Sequence, residues 1–404
     1  MDLSPVQCTS DDLWSLQSVN DWLFRHGRLI ENRYDFVTAL SSNLLQAGAP
    51  IDRLQIIFPT INPLYSGTSA LWRKRTGETT PFQAHHDIRL SDRFIGSPLQ
   101  KLLESGRDIR QSLIDLPVDA HAAFTELTHE GFTDYYAMPV TFNSGLDAAF
   151  IVSTRSPGGF SDCDINNFRR MRDYVAPTLE VFSLRALSSS LLDTYLGKRT
   201  GEKVLSGMIK RGDADTIHAA LWFSDLRDFT EMTENLPADK LLKILNDYFE
   251  YVAAAVTARG GEILRFIGDA MLIVFPIDEH ISRESACNAA IDAARDALES
   301  LATHNHMRRR HGEAEIRFGV GLNVGEVIYG NVGAPDRLDF TVMGPAVNRT
   351  ARLESLTKVV GENILFSKEF AESISYPAKS LGEHMMKGIA KPQPVFAPDE
   401  NFDA

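Results

Sequence analysis

Two aspartates stand where a fold could bring them together to act on phosphate groups. Asp225 lies at the end of an apolar, strand-like run within 223–230, and Asp269 follows a similar run that ends at Gly268. They are 44 positions apart (269 − 225 = 44). Magnesium prefers oxygen ligands and is commonly held by one or two carboxylates together with substrate phosphates. The pair therefore predicts a nucleotide enzyme that holds a divalent metal against a triphosphate.

The elements that must position these aspartates follow a βαββαβ order with a β-rich tail. Apolar periodicity predicts strands at 219–223, 262–266, 271–275, 317–322, 326–331 and 339–342, and helices at 238–258, 283–309 and 346–356. This order favours an antiparallel sheet with helices on one face, close to a ferredoxin-like layout. We therefore expect the α+β class, with Trp222 in the core of this part.

The first half of the chain also predicts α+β structure, with Trp72 in its core. The patterns indicate helices at 11–24 and 31–46, strands at 54–58 and 69–72, and a hairpin of 135–142 with 148–154 around Asn143-Ser144-Gly145. Ser161 or Asp162 is expected to cap a long helix at 165–196. Its Leu184, Leu187 and Leu191 form a seam that either pairs with a second copy or packs within its own domain.

The composition excludes several classes of function. A net charge of −13 over 404 residues argues against nonspecific nucleic-acid binding, which needs a basic surface. No apolar run approaches the roughly 20 residues of a membrane helix, so we expect no membrane partner. The three cysteines, Cys8, Cys163 and Cys287, are far apart and in no ligand spacing. We therefore expect no disulfide framework and a cytoplasmic location.

The segments 223–230, 261–275 and 339–354 resemble the three signature blocks of class III nucleotidyl cyclases, and the likeness covers about 194–396. It implies an adenylate cyclase that forms 3′,5′-cyclic AMP and pyrophosphate from ATP, with two Mg²⁺ or Mn²⁺ ions per site. By this resemblance Asp225, Asp269 and the backbone carbonyl of Leu226 are metal ligands. The backbone amides up to Phe229 and Thr230 match a phosphate cradle.

The resemblance also assigns residues that contact the substrate. Asn348 and Arg352 are four apart and share one face of a helix. The resemblance implies that Asn348 orients the ribose and that Arg352 stabilises charge on the α-phosphate in the transition state. The alternative for Arg352 is a salt bridge with Glu354 or Glu284. Lys387 matches the lysine that contacts the terminal phosphates. We expect Arg349, which points elsewhere, to form a surface ion pair.

Base selection is implied by Arg265 and Thr341, which occupy the base-reading positions of the family. Adenylate-forming members usually carry lysine where Arg265 stands, so this chain departs from the pattern, and arginine differs from lysine in reach and geometry. ATP is favoured; GTP or a pyrimidine triphosphate remains an alternative, as does a catalytically silent nucleotide-binding regulator. A second departure is Asp228, where many members have glycine.

In the family, the metal ligands come from one subunit and the residues for base, ribose and phosphate come from its partner. The resemblance therefore implies a homodimer with two shared sites. We expect an N-terminal domain at 1–178, a helical linker at 179–200 and a catalytic domain at 201–404. The first of these weakly resembles a GAF-type sensor that dimerises and regulates through the long helix; an unidentified ligand or partner for it stays open.

Overall fold

The computed structural model describes residues 14–143, 145 and 147–399. These residues form two compact units, one up to Thr194 and the other from Tyr195 onward. Within the described ranges, no helix combines the length and the apolar character that crossing a membrane requires.

The first unit consists of five helices and six strands in the part of the chain described, together with short 3₁₀ segments at Gly27–Leu29 and His86–Leu90. The helices are α1 Leu16–Arg25, α2 Arg33–Gln46, α3 Pro98–Ser105, α4 Ala122–His129 and α5 Asp162–Leu196. The strands are β1 Arg53–Pro59, β2 Tyr65–Arg73, β3 Thr79–His85, β4 Ile109–Ser112, β5 Asp134–Thr141 and β6 Asp147–Thr154.

A six-stranded antiparallel sheet in the order β3-β2-β1-β6-β5-β4 is the centre of this unit. Side chains of α1, α2 and α5 pack on one face of it around Phe36 and Phe168, and a smaller cluster around Leu102 and Tyr135 covers the other face. Trp72 is 2% exposed, which confirms its predicted place in the core.

The start of α5 confirms the predicted cap. The Ser161 hydroxyl accepts a hydrogen bond from the amide of Asp164 at 3.1 Å, and the carboxylate of Asp164 accepts one in return from the amide of Ser161 at 2.8 Å. This reciprocal pair satisfies amides that the first helical turn leaves free. From there α5 continues for 35 residues with Pro177 inside it.

Several predictions for this unit were incomplete or wrong. The elements β3, β4, α3 and α4 were not predicted. The helix predicted at 11–24 begins at Leu16 in the described part, and residues 11–13 lie outside it, as does Ser144 of the predicted turn.

Cys163 is disulfide-bonded and Cys287 is free, whereas Cys8 lies outside the described residues. The expectation of no disulfide framework did not anticipate the bond of Cys163, because separation along the sequence does not measure distance in the fold.

In the second unit, the part described contains α6 Lys198–Leu205, α7 Phe229–Asn235, α8 Ala238–Ala258, α9 Arg283–Arg310, α10 Pro345–Val360 and α11 Lys368–Ala371. The strands are β7 Ala214–Leu226, β8 Glu262–Ile267, β9 Ala270–Ile277, β10 Phe318–Ala334, β11 Arg337–Met343, β12 Ile364–Ser367, β13 Ala378–His384 and β14 Gln393–Pro398.

The order of strands confirms the ferredoxin-like layout. The sheet runs β13-β14-β12-β10-β7-β9-β8, with β11 paired to the far part of β10. Within it β10, β7, β9 and β8 are antiparallel neighbours joined by the helices α8 and α9, which gives the predicted βαββαβ unit. The sequence predicts two strands at 317–322 and 326–331, but β10 is one strand because Gly325 continues the ladder opposite Ala219.

Alternating residues of β7 divide the apolar interior into two layers. Trp222, 0% exposed as predicted, and Leu226 face α8 and α9. Leu221 faces the opposite layer, which Phe340 and Val342 of β11 cover. Helices α8 and α9 therefore cover one face of the sheet, and α10 lies with β11 against the other.

Helix α10 lies unusually close to β10 because two glycines of that strand carry no side chain. A Cβ on Gly321 would stand 2.4 Å from the backbone nitrogen of Glu354, and one on Gly319 would stand 2.3 Å from the hydroxyl oxygen of Thr357. Side chains at these positions would push the helix off the sheet. The glycines thereby set the height at which α10 presents its side chains.

Candidate active site

Asp225 and Asp269 meet at one edge of the sheet. In the antiparallel ladder of β7 and β9, Asp225 is directly opposite Ala270, the residue after Asp269. Asp269 itself lies in the tight turn between β8 and β9, which Gly268 enters with φ of 66°. The pKa of Asp269 is raised to about 6, first by burial and then by hydrogen bonding to Asp225 and by the negative charge of Asp225. The fold thus holds two carboxyl groups in direct interaction.

Further charged side chains lie near this pair, and two of them, Glu354 and Lys358, come from α10. The ammonium of Lys358 lies 3.3 Å from Oδ2 of Asp225. Glu354 is 2% exposed, and its Oε1 has no hydrogen-bond partner among the described residues. Burial, followed by the charge of Asp225, raises the pKa of Glu354 to about 7, while Lys358 and then Arg227 act in the opposite direction. The cluster therefore carries excess negative charge that one lysine only partly compensates.

This donor set fits a divalent cation that is also bound by its substrate. No group of three or more His, Cys, Asp or Glu side chains in the described part of the chain could hold a metal ion by itself. Asp225 and Asp269 supply two carboxylates, and carboxylate oxygens suit Mg²⁺ and Mn²⁺. A cation here would need further oxygens, and phosphates provide them. The carbonyl of Leu226, the last residue of β7, is the remaining predicted ligand, and its side chain is buried in the core.

The loop after β7 has one strained position. Asp228 has φ of 61° and ψ of 19°, which is the left-handed region that glycine adopts most easily. Its carboxylate forms an ion pair with Arg317 at 2.9 Å. Immediately afterwards Phe229 and Thr230 begin α7, whose first amides have no acceptor within the helix.

Asn348 and Arg352 lie on one exposed face of α10. Gly344 and Pro345 begin this helix, and its buried face carries Leu353. The structure gives neither Asn348 nor Arg352 a side-chain hydrogen bond or ion pair within the described residues. The alternative of a salt bridge from Arg352 to Glu354 or Glu284 is therefore not observed.

Arg349 pairs with Glu369 at 3.0 Å, which confirms the predicted surface ion pair.

Arg265 and Thr341 belong to strands that are not neighbours in the sheet. Arg265 is exposed on β8, and Thr341 lies on β11 opposite Gly330 of β10. An ion pair from Arg265 to Asp339, two residues before Thr341, connects the two strands at 2.5 Å. Phe340 between them faces the buried layer, so Asp339 and Thr341 share the opposite face.

The described residues do not complete a site around the aspartate pair within one chain. Lys387 is exposed in the segment between β13 and β14. Within the described residues, no hydrogen bond or ion pair joins Asp225 or Asp269 to Asn348, Arg352 or Lys387. The predicted site residues thus fall into separate groups, with the carboxylates in one and the substrate-contacting residues in others.

Sequence reasoning missed three charged residues of these groups. Glu354 and Lys358 are four apart on α10, a spacing typical of a surface ion pair, and nothing in it indicates that Lys358 reaches Asp225. Asp339 stands two positions before Thr341 on a strand, so alternation alone could have placed both on one face. Its partner, Arg265, could not be identified from the sequence.

Comparisons with known proteins point to one family for the second unit. The adenylate and guanylate cyclase catalytic domain matches residues 213–397. The adenylate cyclase of Anabaena cylindrica is 34% identical over 170 residues, which cover 42% of this chain and 33% of that protein. Adenylate cyclase 1 of Rhizobium meliloti is 33% identical over 147 residues, which cover 36% of this chain and 22% of that protein.

Among solved structures, the adenylyl cyclase CyaB from P. aeruginosa is similar with a TM-score of 0.43 and 26% identity, covering 46% of this chain and 96% of that one. The chain spans about a third or less of the length of the two curated relatives. The family match lies within the second unit, so the GAF-like assignment of the first unit stays a prediction.

Proposed function

We propose that this chain is a metal-dependent adenylate cyclase, because residues 213–397 match the adenylate and guanylate cyclase catalytic domain. The proposed reaction converts ATP to 3′,5′-cyclic AMP and pyrophosphate. The ribose 3′-oxygen attacks the α-phosphorus in line, a new oxygen–phosphorus bond forms, and the bond to the pyrophosphate leaving group breaks.

The observation that carries this proposal is the opposed pair Asp225 and Asp269 at the edge of the sheet. Burial, followed by hydrogen bonding to Asp225 and its negative charge, raises the pKa of Asp269 to about 6, as expected where two acids share a partly buried site. In the proposal these two carboxylates and the carbonyl of Leu226 hold Mg²⁺ or Mn²⁺. When bound, a divalent cation would lower the pKa of a hydroxyl group and compensate the negative charge of the phosphates.

The remaining groups are proposed to bind and orient the substrate. Arg352 donates to the α-phosphate where negative charge develops, which suits the planar fork of a guanidinium. Asn348, on the same face of α10, orients the ribose. The amides of Phe229 and Thr230 bind phosphate oxygens, and Lys387 contacts the terminal phosphates.

Base recognition is proposed for Arg265 and Thr341. A cation that donates to the ring nitrogen of adenine and a hydroxyl that accepts from its amino group together favour ATP. A cyclase with another base preference and a silent nucleotide-binding regulator are the other outcomes of the test below.

One experiment distinguishes these outcomes. The full chain is incubated with Mg²⁺ or Mn²⁺ and each of the four ribonucleoside triphosphates, and cyclic products are identified by mass spectrometry. Formation of cyclic AMP from ATP supports the proposal. Formation of a different cyclic nucleotide would change only the base specificity that we propose. Asp225→Asn should lose all product formation, and Lys368→Asn is a matched control at an exposed position. Intact triphosphate in every reaction would contradict an enzymatic function.

We further propose that two chains share each site. Arg352 and Asn348 have no side-chain hydrogen bond or ion pair within the described residues, and none joins them to Asp225 or Asp269. A head-to-tail homodimer would bring the exposed face of α10 in one chain to the carboxylates of the other, and two-fold symmetry would make two such sites.

The first unit is proposed to regulate the second through α5. Leu184 and Leu191 are 44% and 39% exposed within the chain, so the seam is available for a second copy. If the proposal holds, removing residues 1–194 will change either activity or the dissociation constant of the dimer. Values equal to those of the full chain would exclude both roles.

A further inference from the structure

The ion pair between Arg265 and Asp339 bears on which base the chain selects. It joins β8 to β11, two strands that are not hydrogen-bonded neighbours in the sheet. The side chains are 49% and 42% exposed, so both retain surface that a ligand can contact. Leu264 and Phe340, each next to one member of the pair, pack in the buried layer beneath. The two strands are therefore fixed, and the charged groups lie together on the open side.

This pair and Thr341 present a fixed arrangement of donors and acceptors. A guanidinium has five N–H donors, and the ion pair with Asp339 engages only part of them. The described residues give Arg265 no other acceptor. Asp339 likewise retains acceptor capacity on its carboxylate, and the hydroxyl of Thr341 on the same face adds a group that accepts or donates. The open side of the pair thus offers N–H donors beside carboxylate and hydroxyl acceptors.

Which bases such an arrangement accepts depends on which group of the base faces Asp339. Adenine and cytosine have an exocyclic amino group that donates, next to a ring nitrogen that accepts. Guanine and uracil have a carbonyl oxygen at the corresponding place, next to a ring N–H. A carboxylate that faces this carbonyl oxygen would oppose two acceptors, and an unsatisfied or repulsive pair is an effective means of rejecting the wrong ligand.

We propose that Asp339 is a specificity-determining residue that acts through Arg265: it fixes the guanidinium beside Thr341 and selects triphosphates with an amino base against those with a keto base. This inference rests on the proposed base-binding role of Arg265. Asp339 neutralises the arginine and limits its orientations, and a planar guanidinium is less adaptable than the ammonium of lysine. The arginine that departs from the usual lysine of the family therefore has a partner that restricts what it can read.

Asp339→Asn tests the proposal because asparagine has the same shape, lacks the charge and offers an amide donor. We measure kcat/KM for ATP, CTP, GTP and UTP, and the dissociation constants of their nonhydrolysable analogues by calorimetry in the full chain. The ratios of ATP to GTP and of CTP to UTP should each fall by about tenfold or more, the scale of one good base contact. Asp339→Glu should restore part of the ratio, and Asp336→Asn, in the exposed turn before β11, should leave it unchanged.

The outcomes separate this inference from the proposed function. A wild-type chain that turns over no triphosphate contradicts the proposed function, while the binding ratios still decide the role of Asp339. Ratios in Asp339→Asn equal to the wild-type ratios, or a wild-type preference for GTP or UTP, would overturn the inference. A uniform loss of affinity for all four nucleotides would also overturn it, because that result indicates a structural role only.

Discussion

The ammonium of Lys358 lies 3.3 Å from the carboxylate of Asp225, at the position where the proposed function requires a metal ion. Both groups belong to the same chain, Lys358 in the last turns of α10 and Asp225 at the end of β7. The lysine also acts on Asp269 and Glu354, whose pKa values it lowers against the larger effect of burial. In the protein without metal, Lys358 therefore places a positive charge directly against this acidic cluster.

Lys358→Gln should bind Mn²⁺ more tightly than the wild-type chain, because a competing cation is removed and the carboxylates remain. The side chains are 46% and 24% exposed, so the pair is partly screened by water. Exposed pairs contribute up to about 1 kcal/mol, so we expect a gain in affinity of up to about fivefold. Calorimetric titration of the full chain with Mn²⁺ measures it. Lys368→Gln, which removes an exposed lysine that pairs with Glu372, is the control. Weaker binding by Lys358→Gln would show that the lysine supports the metal site instead.

Asp228 is expected to strain the loop after β7. It is the one non-glycine residue with a positive φ in the part of the chain described, and its ion pair with Arg317 joins two exposed groups. In this conformation most residues with a side chain destabilise the folded state by about 1–2 kcal/mol relative to glycine. Asp228→Ala should therefore unfold at lower urea concentration than Asp228→Gly, whereas Arg317→Gln should change stability by less than about 0.5 kcal/mol. Equal urea midpoints for Asp228→Ala and Asp228→Gly would contradict this interpretation.

The sequence predicted the sheet well because alternation and strand order are local properties. The run around Trp222 indicated a buried strand, and the βαββαβ order led to the correct strand neighbours without knowledge of any contact. The approach of Asp225 to Asp269 is consistent with the same reasoning, since Asp225 lies at the end of β7 and Asp269 directly precedes β9, the strand that pairs with β7.

The features of the site that the sequence could not predict depend on distances between elements of the fold. The burial of Glu354 follows from the close packing of α10, which Gly319 and Gly321 permit. No pattern within α10 contains that information, and a glutamate four residues before a lysine suggests a solvated pair. The ion pair of Arg265 with Asp339 joins positions 74 residues apart (339 − 265 = 74), on strands that are not neighbours in the sheet. Such pairs become visible only when the whole sheet is assembled.

Glu354 should make the metal-free protein less stable as the pH rises. Its folded-state pKa of about 7 is above the value of about 4.3 in an unfolded chain, so the folded state binds the proton more tightly. The groups that face it are Asp225, Lys358 and Arg227. The stabilisation is complete below the unfolded pKa and is lost as the pH rises through about 7. Asp269 contributes with the same sign.

Urea unfolding in the presence of a chelator at pH 5, 6, 7 and 8 measures this dependence. Glu354→Gln cannot ionise, so its stability should fall less between pH 5 and pH 8 than that of the wild-type chain. The variant should not abolish the slope, because Asp269 still titrates. Glu383→Gln, at an exposed position, is the matched control and should follow the wild type. A slope in Glu354→Gln as steep as in the wild type would exclude Glu354 as its source.

The shared site predicts that two inactive chains restore each other. Asp225→Ala removes a carboxylate and Arg352→Ala removes the guanidinium of α10, and each variant alone should be inactive. In a mixed dimer, one site receives both defects and the other receives neither. Random exchange of equal amounts makes half of the dimers mixed, each with one intact site, so the mixture should recover roughly a quarter of the wild-type activity.

The measurement is product formation against time after mixing, with the dimer state followed by analytical ultracentrifugation. A mixture of Asp225→Ala with Asp269→Ala is the control, since both defects lie in the same group of ligands and no intact site can form. Recovery in the first mixture only would support sites made of Asp225 and Asp269 from one chain and Arg352 from its partner. If mixed dimers form and the first mixture stays as inactive as the control, each chain must contain its site alone, and the exposed face of α10 must be assigned another role.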